Sequence, residues 1–160
     1  MSNNQVQFTT AEQAEIDNFC AQHGSDVKSP NQQGWTLLHI AMAAKVSTVV
    51  VKFLISKGAD VNAKGQDNFT PLHLVAFTDG SVALAEVLIS NGADVDAKKI
   101  DDRTALYMAA GKDNIELVKF LVSKGADINA TADGGNTPLY YAKLKGCAAV
   151  VQYLTSIGAR

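Results

Sequence analysis

The chain has 160 residues, 47% of them hydrophobic and 19% charged, which is enough for one domain with a sizeable core. A net charge of −2, from 14 basic and 16 acidic residues without a block of one sign, supplies no field for nucleic acid or an anionic membrane, so neither partner is predicted. The start, Met1 to Gln7, lacks the basic residues and apolar core of a signal peptide, and no apolar run reaches the roughly 18 residues that span a bilayer, so the chain reads as cytoplasmic, or as exported by a route that leaves no such mark.

Residues 1–8 read as a flexible start. A helix is predicted over 11–23, where Ile16, Phe19, Cys20 and His23 share one face and Glu12, Gln13, Glu15, Asp17 and Gln22 lie elsewhere. Thr10 with Gln13, or Thr9 with Glu12, supplies a capping box. From Thr36 onward the chain alternates short helices. Thr36, Thr70, Thr104 and Thr137 read as N-caps, twice followed by proline at the first helical position, where its missing donor costs nothing. Inner helices are predicted over about 37–45, 71–79, 105–112 and 138–145, and outer helices over about 48–57, 82–91, 115–124 and 148–157. Gly80 and Gly146, with Lys45 and Asp113 near the matching places, mark the turn inside each pair. A second turn, centred on Gly34, Asn68, Asp102 and Gly135, uses residue types that tolerate positive φ.

These elements repeat. The threonines are spaced 34, 34 and 33 residues apart, and Gly24, Gly58, Gly92, Gly125 and Gly158 are spaced 34, 34, 33 and 33. A period of this size means stacked units, each burying its apolar face on its neighbours. The first two units hold one residue more between Thr and Gly, placed by this reading in the inter-helix turn. The segments Thr36-Leu37-Leu38-His39-Ile40-Ala41, Thr70-Pro71-Leu72-His73-Leu74-Val75-Ala76, Thr104-Ala105-Leu106-Tyr107-Met108-Ala109-Ala110 and Thr137-Pro138-Leu139-Tyr140-Tyr141-Ala142, each followed by Gly-Ala-Asp or Gly-Ala, resemble the ankyrin repeat. The resemblance covers about residues 24–160. It implies an all-α solenoid with short β-hairpin-like loops, formed of four full repeats and an N-terminal half-repeat cap helix. The single domain spans 9–160, with the cap at 9–31 and repeats at about 32–65, 66–99, 100–132 and 133–160.

No catalytic pattern rises above chance. Ser25-Asp26-Val27-Lys28 matches Ser-x-x-Lys without its companion motifs, and no phosphate-binding loop, nucleophile elbow or His-Glu-x-x-His is present. His39 and His73 recur one unit apart, about 10 Å, too far to share a metal. The resemblance gives this histidine a structural role, hydrogen-bonding within its repeat and to neighbouring backbone, with Tyr107 and Tyr140 replacing it later. Cys20 and Cys147 lie at opposite ends of the array and read as reduced. No cofactor, metal or catalytic residue is predicted.

What remains is a surface, and the resemblance implies a non-enzymatic protein-interaction module. Its partner would meet the hairpin tips and exposed inner-helix faces: Gln33, Trp35, Asp67, Phe69, Phe77, Ile100, Arg103, Lys112, Asn136 and Lys145. Trp35, Phe69 and Phe77 would form an anchor patch, the alternative being that the rings before each threonine merely pack on the neighbouring loop. Arg103 and Lys112 would add a basic edge, or stand as solvated charge. The last outer helix is poor in polar residues, with Tyr153 and Ile157 as a possible end-surface contact. That end has three readings: a fragment of a longer array, a face for a partner or a second copy, or a harmless exposed surface. A monomer is expected unless this end self-associates. Finally, Asn62 and Asn129 lie in segments resembling those hydroxylated at asparagine in some animal repeats of this kind, the second unit having Asp96 instead.

Overall fold

The computed structural model describes residues 7–78 and 80–160. Residues 1–6 of the predicted flexible start, and residue 79, fall outside them. Nine α-helices follow one another among the described residues: α1 (Thr10–His23), α2 (Leu37–Ala43), α3 (Thr48–Ser56), α4 (Pro71–Phe77), α5 (Val82–Ser90), α6 (Ala105–Ala110), α7 (Ile115–Ser123), α8 (Pro138–Lys145) and α9 (Ala148–Ser156). They form two layers. The inner layer runs α2, α4, α6, α8, and the outer layer runs α1, α3, α5, α7, α9, each helix touching the next in its own layer.

Local chemistry starts each helix where the threonine spacing places it. Thr70, Thr104 and Thr137 accept from the backbone N–H three residues on, and Thr9 with Glu12 forms a reciprocal capping box at α1. Most helices end one or two residues before the predicted boundary: the outer ones stop ahead of Gly58, Gly92, Gly125 and Gly158, all at positive φ, and α2, α4 and α6 stop ahead of the left-handed residue inside each pair. That residue is Lys45, Gly80, Asp113 or Gly146, at φ of 55°, 67°, 55° and 73°. In two units a side chain is held in a conformation that glycine adopts freely, a strain of about 1 kcal/mol each. The extra residue of the first two units does lie in this turn. In the first, two residues, Val46 and Ser47, separate the left-handed Lys45 from α3, where the third and fourth units have one between the left-handed residue and the outer helix.

The loops between units form no strand among the described residues. Each nevertheless closes on itself by backbone bonds at the tip, the widest running from Asn31 to Trp35 (2.9 Å), Gly65 to Phe69 (2.8 Å), Lys99 to Arg103 (3.2 Å) and Ala132 to Asn136 (2.9 Å). Successive tips are joined where the Ile100 N–H donates to the Asp67 carbonyl (2.9 Å) and the Asp133 N–H to that of Asp101 (3.0 Å). Positive φ falls at Gly34, Asn68, Asp102 and Gly135, as the residue types predict, and also at Asp67 and Gly134.

One continuous core fills the space between the layers. Leu38, Val50, Leu54, Leu88, Leu106, Val118, Leu121 and Leu154 are completely buried in it. Phe8 also belongs to this packing, set edge-on to Phe53 at 6.1 Å. Cys147 is buried and Cys20 half-buried, and both are free thiols. Among the described residues no helix is long and apolar enough to cross a membrane.

Candidate functional site

Rigid backbone beneath the loops is what positions the surface residues, and two buried histidines supply it. His39 and His73 are 0% and 1% exposed. In each, Nδ1 accepts from its own repeat's threonine N–H (3.2 Å), so the proton sits on Nε2, which donates to the next loop's carbonyl: Phe69 at 2.9 Å and Arg103 at 3.0 Å. Burial lowers both pKa values, which keeps the rings neutral, and the two bonds hold this tautomer. Tyr107 and Tyr140 do not reproduce the arrangement. Tyr107 is buried and stacks its ring on Tyr141, while Tyr140 is 52% exposed.

A second set of cross-links ties the far ends of the units. Asn62 donates from Nδ2 to the Gly92 carbonyl and accepts at Oδ1 from the Asp94 N–H, both at 2.8 Å. Asp96 accepts from the Asp127 N–H (2.9 Å) and Asn129 from the Arg160 N–H (2.8 Å). An acceptor oxygen is the common requirement, which is why aspartate can replace asparagine at this place.

On the inner-helix side a concavity of about 140 Å³ opens between two pairs of aromatic rings. Phe69 and Phe77 meet edge-to-face at 6.3 Å, and Tyr107 and Tyr141 stack at 4.5 Å with 13° between planes. Met108 lies in the lining with them. Tyr141 fits only because residue 111 is glycine: a Cβ there would stand 2.1 Å from the tyrosine Cε1.

Cations surround these rings. Lys99 lies 5.1 Å from the Phe69 centroid, Lys112 5.1 Å from Phe77, and Lys145 5.4 Å from Tyr141, while Arg103 covers both Tyr107 (5.5 Å) and Tyr141 (5.8 Å). Asp101 holds two of them in place, at 2.7 Å from Lys99 and 3.2 Å from Arg103. Burial alone would raise the Asp101 pKa. The Lys99 hydrogen bond and the charges of Lys99 and Arg103 outweigh it, so the carboxyl sits below its ordinary range and stays ionised.

Of the residues singled out from sequence, Phe69, Phe77, Arg103 and Lys112 come together in this lining, with Lys145 at its edge. Trp35 does not join them. Its ring lies 5.8 Å from that of His39 and lines a separate shallow concavity with Gln33, Ile40 and Ala43. Asp67 and Ile100 stand exposed at the tips, joined by their backbone bond, and Asn136 donates to the Asp133 carbonyl at 3.1 Å. Tyr153 turns sideways along the outer layer, with Lys119 of α7 at 5.9 Å from its ring. Exposed apolar surface near the C-terminal end comes instead from Tyr140, Leu144 (66% exposed) and Ile157 (37%).

Sequence reasoning overlooked Lys99 and Tyr141, and treated Tyr107 only as a histidine substitute. The available signal was Tyr141 itself, an aromatic residue where the other units carry Ile40, Leu74 and Met108, set against a glycine where they carry Ala43, Phe77 and Leu144. Among the described residues no group of three His, Cys, Asp or Glu could hold a metal ion.

The family model described as ankyrin repeats (3 copies) matches residues 10–99 and 79–160. No curated protein sequence matches the chain. Layered helix pairs, threonine-capped inner helices, histidine-braced loops and a family match over nearly the whole length agree: the chain belongs to the ankyrin repeat family, whose members are generally non-enzymatic protein–protein interaction modules.

Proposed function

We propose that residues 9–160 act as one docking unit that binds a partner protein on the concave surface formed by the loop tips and inner helices, and transforms nothing. The observation that carries this reading is the half-open aromatic groove. Phe77 is 53% exposed although it packs edge-on to Phe69, so a large apolar surface stays in water at the end of α4. A pre-formed groove loses little ordering entropy on binding, and aromatic anchors in such grooves are worth about 2 kcal/mol or more each on truncation. Trp35, Gln33, Asp67, Ile100 and Asn136 extend the same face along the tips. The test is affinity capture from the native cell with wild type and a Phe77→Ala/Tyr141→Ala double variant of unchanged circular dichroism. A partner list untouched by the double variant rejects the groove as the docking site.

A second reading is favoured by a separate observation, the exposed Tyr140, Leu144 and Ile157 near the C-terminal end. These residues suit self-association or further stacking, in a scaffold role. Light scattering of wild type against Leu144→Glu and Ile157→Glu decides it, since a protein that is monomeric throughout removes self-association.

A further inference from the structure

The groove has a charge that the chain as a whole lacks. The sequence carries a net −2, yet Lys99, Arg103, Lys112 and Lys145 crowd around four aromatic rings with Asp101 as the one carboxylate bonded to any of them among the described residues. Asp101 occupies Lys99 and Arg103. Lys112 and Lys145 have no carboxylate partner among the described residues, and each places its ammonium over the face of a ring instead. Asp67, Asp102 and Asp133 sit on the exposed loop tips and are not part of the groove lining. The two unpaired cations thus flank a recess whose walls are Phe69–Phe77 on one side and Tyr107–Tyr141 on the other.

We propose that the occupant of this groove is an extended acidic segment of a partner protein, with one apolar side chain seated between the two aromatic pairs and flanking carboxylates on Lys112 and Lys145. The assignment rests on the docking role given above and adds the chemistry of the partner. A neutral segment would leave both ammonium groups without a carboxylate, and a basic one would be repelled by them, so charge complementarity selects the acidic class. The apolar side chain is needed as well, because exposed ion pairs alone contribute little affinity.

The experiment titrates isotope-labelled protein with three synthetic peptides, each holding a central leucine flanked on both sides by glutamates, glutamines or lysines, and follows backbone amide shifts. The glutamate peptide is expected to shift Met108, Gly111, Lys112 and Tyr141, to bind more tightly than the glutamine peptide, and to weaken with added salt. A Lys112→Glu/Lys145→Glu variant, altered only at exposed side chains, is expected to bind it about tenfold more weakly, the effect of reversing two exposed pairs. Equal binding of the glutamine peptide at the same residues overturns the acidic preference and leaves the docking role standing. Shifts elsewhere, or none from any peptide at millimolar concentration, overturn the proposed occupant, whereas the docking role itself falls only if partner capture survives loss of Phe77 and Tyr141.

Discussion

Replacing His73 by alanine removes a side chain that is 1% exposed and joins two repeats. Its ring accepts from the Thr70 N–H at 3.2 Å, contacts the Thr70 hydroxyl at 2.8 Å and donates to the Arg103 carbonyl at 3.0 Å. The variant leaves a backbone donor and a backbone acceptor without partners. A buried polar group stripped of its partner costs about 1–3 kcal/mol, and the lost ring adds a cavity, so the expected loss is about 3–5 kcal/mol. In a chain of this length that corresponds to a melting temperature lower by at least about 6 °C. Protonation gives a second readout. Burial lowers the folded-state pKa of both His39 and His73 below the ordinary 6.5, so between the two values the unfolded chain holds protons that the folded chain does not. Stability conferred by the neutral rings is therefore fully present above about 6.5 and declines as pH falls below it, with a slope of at most about 1.4 kcal/mol per pH unit for each histidine. Urea unfolding followed by far-ultraviolet circular dichroism, at pH values from neutral to about 5.5, measures both effects. His73→Ala should lose roughly half of the acid-dependent slope. A loss under about 1 kcal/mol, or a variant with the same pH slope as wild type, would refute the reasoning.

Asn62→Ala removes both bonds to the next unit, at Gly92 and Asp94, and should lower stability by about 1–2 kcal/mol because the site is exposed; Asn62→Asp, which keeps the acceptor, should recover part of it in the same urea assay. Gly111→Ala meets no backbone strain at φ −77° but drives Tyr141 off Tyr107. Near-ultraviolet circular dichroism in the tyrosine band should change while overall stability falls by less than about 2 kcal/mol, since the half-buried ring can swing outward. An unaltered tyrosine signal would mean that the stack does not exist in solution. Asp113→Gly relieves the left-handed residue before α7 at φ 55°, and thermal unfolding should show a gain of about 0.5 kcal/mol.

The repeat, its period and the helix starts could be read directly from the amino acids, because each depends on short-range chemistry. Thr70 caps its own helix through a bond three residues away, and Asn68 or Gly135 adopts positive φ for reasons internal to the turn. Even the extra residue of the first two units was visible in the Thr-to-Gly count. Helix ends were less legible, since Phe77 and Ala110 stop where the inter-helix turn tightens, a geometry that no single residue type announces.

The groove depended on contacts between units, and there the linear pattern was a poor guide. Trp35 and Phe69 hold the same place in adjacent repeats and each ring meets its own unit's histidine, at 5.8 Å and 6.0 Å, but only Phe69 also meets a second ring, Phe77, where the first unit carries Ala43. What a ring packs against is settled by the size of the residue facing it. Glycine at 111 admits Tyr141 onto Tyr107, and that stack creates the second wall and gathers Arg103 and Lys145 over it. Residues 111 and 141 are thirty positions apart in the chain, so their fit is a property of stacking, where the volumes of facing side chains must match. The architecture therefore follows from local rules written four times, and the chemistry of the concave face follows from how those copies differ where they touch.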